Sequence, residues 1–151
     1  MEISFRRAQA QDVPAIVALL ADDALGSQRE EPALPLAEGY IAAFAAIKSD
    51  PNQLLAVVED DARIVGTLHL TFIPGLARKG AWRGQIQAVR VTADRRRSGL
   101  GKAMFAWAIA TCRARGCGHV QLMTDNGRPE AQLFYEKLGF TASHLGYKLP
   151  L

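Results

Sequence analysis

The segment Ala93-Asp94-Arg95-Arg96-Arg97-Ser98-Gly99-Leu100-Gly101-Lys102 has the residue types and spacing to hold an anion. Val89 and Val91 read as the end of a strand before it, and an apolar pattern at helical spacing follows from Gly99. Glycine has no Cβ, so Gly99 and Gly101 let a ligand approach the backbone where the helix begins. The first N–H groups of a helix lack intrahelical acceptors and, with the helix dipole, favour negative charge. Arg95, Arg96, Arg97 and Lys102 add formal positive charge around the same point. A di- or polyphosphate suits this chemistry.

The spacing excludes two common phosphate sites. A P-loop needs GxxxxGK followed by Ser or Thr, but Arg96 stands at the first glycine position and Ala103 follows Lys102. A dinucleotide GxGxxG needs glycine at position 104, which is Met104. Two other readings stay open: a tight turn carrying solvated arginines, and a nucleic-acid track. The track is the weaker, because no aromatic residues interleave with the basic run.

A second segment, Ala131-Gln132-Leu133-Phe134-Tyr135-Glu136-Lys137-Leu138-Gly139-Phe140, reads as a short helix, a glycine stop and the start of a strand. With both segments in view, the chain resembles the GNAT family, the acetyl-CoA-dependent N-acetyltransferases. Arg96-Arg97-Ser98-Gly99-Leu100-Gly101 fits that family's (Gln or Arg)-x-x-Gly-x-(Gly or Ala) signature. Ala131-x-x-Phe134-Tyr135-x-x-Leu138-Gly139-Phe140 fits its C-terminal motif. The first signature alone is weak, and the pair is specific. The resemblance covers essentially the whole chain, residues 22–50 matching in pattern only, and implies one N-acetyltransferase domain over 1–151.

The resemblance also assigns roles. Backbone N–H groups of Arg96, Arg97, Ser98, Gly99, Leu100 and Gly101 would hold the pyrophosphate of coenzyme A, with Lys102 adding charge. Val89 and Val91 would hydrogen-bond the pantetheine arm as another strand would. Tyr135 would protonate the leaving thiolate. Thiol and phenol pKa values of ~8.5 and ~10 are close enough for such a transfer. Read without the resemblance, Tyr135 is a buried core aromatic with a satisfied hydroxyl. The co-substrate implied is acetyl-CoA, with no metal and with direct attack by an amine in a ternary complex.

The chain departs from the family pattern at two places. Where the family often has an Asn contacting the cofactor, three residues before the Ala of the second motif, this chain has Arg128, with Asn126 two residues earlier. Both are cofactor-binding candidates. Where many members carry a glutamate base on the central strand, this chain reads Gln85-Ile86-Gln87. An amide accepts no proton usefully, so the base falls to a water wire or to Glu59, His69 or His144. The missing carboxylate also favours an alternative, a non-catalytic acyl-CoA-binding module on the same fold.

These residues need a scaffold. Ile3 and Phe5 alternate in a first strand, and Asp12 and Pro14 open a helix carrying Val13, Ile16, Val17, Leu19 and Leu20. Gly26 to Pro35 reads as a loop and Leu36 to Lys48 as a second helix. Leu54–Glu59 and Arg63–Phe72 read as a hairpin turning at Asp60-Asp61. Ile73–Gly80 is a loop, Gln85–Val91 a strand, and Gly99–Arg115 a helix with Leu100, Met104, Trp107 and Thr111 on one face. His119–Thr124 is a strand, Pro129–Leu138 a helix and Phe140–Leu149 a final strand. The order β-α-α-β-β-β-α-β-α-β makes a mixed α/β domain, with the GNAT-like sheet covered by helices on both faces.

Composition sets the remaining bounds. Hydrophobic residues at 49% and charged residues at 22% exclude disorder, collagen and coiled coil. The net charge of +3 is unevenly spread. Residues 1–77 carry 5 Lys/Arg against 11 Asp/Glu, whereas residues 78–115 carry 10 Lys/Arg against Asp94 alone. The basic block suits the phosphates of coenzyme A rather than nucleic acid. The acidic half, with Asp22, Asp23, Glu30, Glu31 and Glu38, would draw a cationic amine, either a small molecule or a peptide. Cys112 and Cys117 are too few for a disulfide framework and read as reduced thiols. No signal-peptide core or membrane-length apolar run is present, so a cytoplasmic protein is expected. A homodimer is a family-level expectation.

Overall fold

The computed structural model describes residues 2–151, which form two compact units, one ending at Gln121 and the other Leu122–Leu151. The larger is built on a five-stranded sheet in chain order: β1 (Ile3–Arg7), β2 (Gln53–Asp60), β3 (Arg63–Ile73), β4 (Trp82–Val91) and β5 (Cys117–Leu122). β1 to β4 are antiparallel. β5 returns after the helix α5 (Leu100–Ala114). Gly118 lies against Trp82 and Gln121 against Gln85, so β5 runs parallel to β4. The turn from β2 to β3 uses Asp61 (φ 48) and Ala62 (φ 65), two left-handed residues whose twist matches a tight hairpin.

Side chains alternate across a strand, and that alternation assigns the helices to opposite faces. Gly66 lies against Met104 of α5. Its neighbour Thr67 faces the other way, toward α1 (Val13–Ala21) and α3 (Glu38–Ser49). The buried stripe of α5 is Leu100, Met104, Phe105, Ala108 and Cys112. Trp107, expected in that stripe, flanks it and stacks on Phe5 with ring centroids 4.9 Å apart. α5 also packs closely on Gly84: a Cβ there would collide with Cys112 Sγ and stand 3.0 Å from its Cβ.

Most expected elements form, with informative differences. Asp12 is the residue before α1, but its carboxylate accepts from Gln9 N–H at 2.7 Å and from Arg6 instead of capping the helix. The expected loop from Gly26 begins with a helical turn, α2 (Gly26–Arg29), and Ile73–Gly80 closes with α4 (Ala77–Gly80). Arg78 and Lys79 in α4 are left-handed, so it is a strained turn more than a helix. β4 starts at Trp82, ahead of Gln85, because Arg83 to Gln85 still pair with β3.

The smaller unit holds α6 (Pro129–Lys137). The final strand expected over Phe140–Leu149 does not form. Leu145, Tyr147 and Leu149 alternate as a strand would, but the segment joins no ladder among the described residues and these side chains are more than 80% exposed. Alternation marks one apolar side; only backbone partners make a strand. No helix of the described residues is long and apolar enough to cross a membrane.

Candidate functional site

The junction between β4 and α5 has the geometry its glycines demand. A 3-10 turn, Ala93–Arg95, leads to Arg97 (φ 63) and Gly99 (φ 87), and Gly99 is the N-cap of α5. Ser98 Oγ donates to Arg95 O at 2.6 Å and accepts from Leu100 N–H at 3.4 Å. Leu100, Gly101 and Lys102 are the first three helical positions, where N–H groups have no intrahelical acceptor. The loop is therefore a backbone-lined positive end.

Its formal charges are divided by their partners. Arg95 pairs with the buried Asp60, and Arg90 with Asp23 at 3.4 Å. Arg96 donates to Asp22 O at 2.8 Å and to its Oδ2 at 3.1 Å. Two of the five acids expected to attract a cationic substrate thus neutralise arginines of the basic block. Arg97 and Lys102 are exposed and form no ion pair among the described residues. They are the exposed charges at the loop.

β4 is interrupted beside this loop. Ala88 has φ 52, and pairing with β3 slips there: Thr67 faces Arg90, whereas His69 faces Gln87. One extra residue on β4 makes this a β-bulge. Gln121 is level with Gln85, so β5 ends level with Ile86 and supplies no partner to Val89 or Val91. Arg90 Nη1 donates to Val89 O at 3.0 Å, which leaves that carbonyl one further lone pair.

On the face of the sheet covered by α1 and α3 lies a cavity of about 150 Å³. Its walls are apolar, including Val17, Tyr40 and Phe44, and Thr67, His69 and Ala88 come from the sheet. A line of hydrogen bonds crosses four strands beneath it. Gln121 Nε2 donates to Gln85 Oε1 (2.9 Å), and Gln85 Nε2 to Gln87 Oε1 (3.2 Å). Gln87 Nε2 meets His69 Nδ1 at 3.0 Å, and His69 Nε2 meets Gln53 Oε1 at 2.7 Å. Thr71 Oγ1 also donates to Gln53 Oε1, at 2.8 Å. Burial pushes the His69 pKa below its ordinary 6.5, so the ring is neutral at pH 7.

The other candidate bases are differently placed. Glu59 accepts from Arg6 Nε at 3.0 Å and Nη2 at 2.6 Å, which ties it to structure. His144, in the smaller unit, is exposed and bonded to Ser143 Oγ through Nδ1 at 2.6 Å.

In that unit Tyr135 stands in the last turn of α6, half-buried. Gly139 (φ 98) lets the chain reverse: Gly139 N–H donates to Glu136 O at 3.0 Å and Phe140 N–H to Tyr135 O at 3.1 Å. These two bonds are a Schellman stop, which explains the Leu-Gly-Phe end of the second motif. Asn126 is exposed on the turn before α6, where Asp125 Oδ1 accepts from Gly127 N–H at 2.9 Å. Arg128 is the N-cap residue of α6.

The loop candidates from Arg96 to Lys102 lie with Val89 and Val91 in the larger unit, and Asn126, Arg128 and Tyr135 lie in the smaller. Sequence reasoning missed Gln53, Gln121 and the bulge at Ala88. The available signal was the polar stripe of glutamines at alternate positions in otherwise apolar strands. Among the described residues no group of three His, Cys, Asp or Glu is placed to hold a metal.

Comparison with known proteins places these features in context. The model of the acetyltransferase (GNAT) family matches residues 15–140. The chain is 31% identical over 106 residues to an aminoalkylphosphonate N-acetyltransferase of Salmonella typhimurium, covering 69% of this chain and 67% of that protein. It is 37% identical over 93 residues to a mycothiol acetyltransferase of Kocuria rhizophila, covering 61% of this chain but only 30% of that longer protein. A solved structure described as a transcriptional regulator from Bacillus halodurans C-125 superposes with a TM-score of 0.96 at 43% identity, covering 99% of this chain and 100% of that one.

Proposed function

The chain belongs to the acetyltransferase (GNAT) family, and we propose that it moves an acetyl group from acetyl-CoA to a primary amine by direct attack in a ternary complex. The observation that carries this reading is the loop from Arg96 to Lys102. It opens α5 with a left-handed Gly99 and two exposed cations, Arg97 and Lys102, free of ion pairs among the described residues.

Those residues fit coenzyme A. N–H groups at the start of α5, with Arg97 and Lys102, would hold its phosphates. The backbone of Val89 and Val91, beyond the end of β5, would pair with the pantetheine arm, and Asn126 and Arg128 are further contacts. When bound, acetyl-CoA supplies the thioester carbonyl that the amine attacks and the thiolate that leaves. Tyr135 Oη would donate the proton to that thiolate, and backbone N–H groups would polarise the carbonyl oxygen. The rest is positioning. The family match runs across both compact units, which supports reading 1–151 as one acetyltransferase domain. The two free cysteines suit a reducing cytoplasm.

The acceptor is a small-molecule amine on this reading, in keeping with the relative named for aminoalkylphosphonate. Thiol release from acetyl-CoA with a panel of small amines, polyamines, amino acids and Lys peptides is the test. Confirmed coenzyme A binding without thiol release from any of them would overturn catalysis.

A second reading, a non-catalytic acyl-CoA-binding module, is favoured by the amides of Gln85 and Gln87 where a carboxylate base is expected. Tyr135→Phe separates the two. Lost turnover with retained coenzyme A affinity supports the enzyme; no turnover before or after the change supports the module.

A further inference from the structure

We propose that residues 144–151 are a strand given to a second copy of this chain, so that two copies exchange these segments in a reciprocal dimer. The inference is independent of acetyl transfer and concerns a surface that the reaction does not use.

The smaller unit leaves its apolar side chains uncovered. None of its residues is buried. Eleven large apolar side chains are exposed among the described residues, and six of them fall in this one unit: Met123, Leu133, Leu145, Tyr147, Leu149 and Leu151. Single apolar residues on a surface are ordinary, but a cluster of them marks a place of contact.

The segment has the form of one half of that contact. Ser143 N–H donates to Thr141 O at 2.9 Å. Beyond it, residues 144–151 run without helix, turn or bend and make no backbone hydrogen bond among the described residues. Alternation puts Leu145, Tyr147, Leu149 and Leu151 on one side, each more than 80% exposed, and Gly146 and Lys148 on the other. Gly146 is on the side that meets its own chain: a Cβ there would stand 3.3 Å from Met123 Sδ. The apolar side therefore points away from Met123. A row of unpaired N–H and C=O groups with one apolar side is suited to add to the edge of a sheet. Such an edge exists in the chain, because β5 is last in the strand order and has a strand neighbour on one side only.

Three features select a second copy as the partner. Each copy carries both halves of the match, a free segment and an open strand edge, so a two-fold axis satisfies both at once. Charge allows the pairing: Asp125, Glu130 and Glu136 balance Arg128, Lys137 and Lys148, so the unit neither repels its copy nor selects an oppositely charged partner. Size is sufficient as well. At roughly 100–200 Å² for each large apolar side chain, the four of one segment bury on the order of 500 Å², and two segments reach the ~1,000 Å² of a specific interface.

Sedimentation equilibrium of the full chain at about 100 μM, with hydrogen exchange read by mass spectrometry, tests the proposal. Leu145→Lys combined with Leu149→Lys puts charge on the apolar side, and both positions are exposed in the single chain, so its fold is kept. Wild type is expected to be a dimer and the double variant a monomer, with amides of residues 145–151 exchanging about 100-fold more slowly in wild type. Lys148→Ala, on the opposite side, is expected to remain dimeric. A wild-type monomer overturns the proposal and leaves the segment to an unlike partner. A dimer that survives the double substitution, a dimer lost equally in Lys148→Ala, or equally fast exchange in wild type and double variant also overturns it.

Discussion

Phe140 N–H donates to the Tyr135 carbonyl at 3.1 Å, and the two rings meet edge-on with centroids 6.3 Å apart. Backbone and side chain of Phe140 therefore hold the same residue. Phe134 adds a second edge-on contact to Tyr135, with centroids 5.7 Å apart. The proton-donor role proposed for Tyr135 needs such fixing, because small misplacements cost rate without altering affinity.

Replacing Phe140 by Ala is accordingly expected to reduce kcat about tenfold while coenzyme A affinity stays within twofold of wild type. The rationale is that the ring contact is lost and the backbone stop kept. Steady-state kinetics together with calorimetric titration of coenzyme A check it. An unchanged kcat would show that Phe140 merely ends the helix.

Arginines of the basic run should contribute unequally to coenzyme A. Arg97→Ala and Lys102→Ala each remove an exposed charge with no competing ion pair, and each is expected to raise the acetyl-CoA KM about tenfold, less so in high salt. Arg96 already binds Asp22, and its pairing is half-exposed, so Arg96→Ala is expected to change KM less than threefold and stability by under about 1 kcal/mol. Equal effects at all three positions would show that the guanidinium of Arg96 leaves Asp22 for the ligand.

This contrast also marks how far the sequence could be read. Glycine spacing and helix periodicity located the turn before α5, since Gly99 has the positive φ that its place there implied. The stop at Gly139 was equally legible, because its cause lies within four residues. Pairings between distant segments were not. Nothing in the order of residues announces that Asp22 meets Arg96, or that Gln121 lines up with Gln85 across β4 and β5. Ala88 was opaque for another reason: a bulge at a non-glycine residue is imposed by the register of the neighbouring strand. The apolar alternation of Leu145, Tyr147 and Leu149 misled, because it reports a side and no partner.

Gly84 offers a test of packing that is independent of chemistry. A Cβ at this position meets Cys112, which is fully buried in α5, so neither residue has room to yield. Gly84→Ala is expected to destabilise the protein by about 1–3 kcal/mol, visible as a Tm lowered by several degrees. Combining it with Cys112→Ala should return part of that loss, since removing the thiol vacates the space the methyl needs. Additive losses in the double variant would place the strain elsewhere.

Acid should weaken the fold through Asp12. Its carboxylate accepts from Arg6 Nη1 at 2.7 Å, from Arg6 Nη2 at 3.1 Å and from Gln9 N–H at 2.7 Å. The Arg6 hydrogen bonds hold its pKa below the ordinary 3.8 against the opposing effect of burial. A carboxylate with a depressed folded pKa stabilises the protein fully above its unfolded pKa, and that contribution fades as pH falls through the folded value. Wild type should therefore lose stability below about pH 4. Asp12→Asn is expected to cost about 2 kcal/mol at pH 7, where the charged partner is lost but Glu59 still neutralises Arg6. It should also show a shallower decline on acidification, so that the gap between the two proteins narrows as pH falls below about 4. Urea unfolding of both at pH 7 and pH 3 measures this directly. A gap as wide at pH 3 as at pH 7 would mean that Asp12 acts through shape and neutral hydrogen bonding, not through its charge.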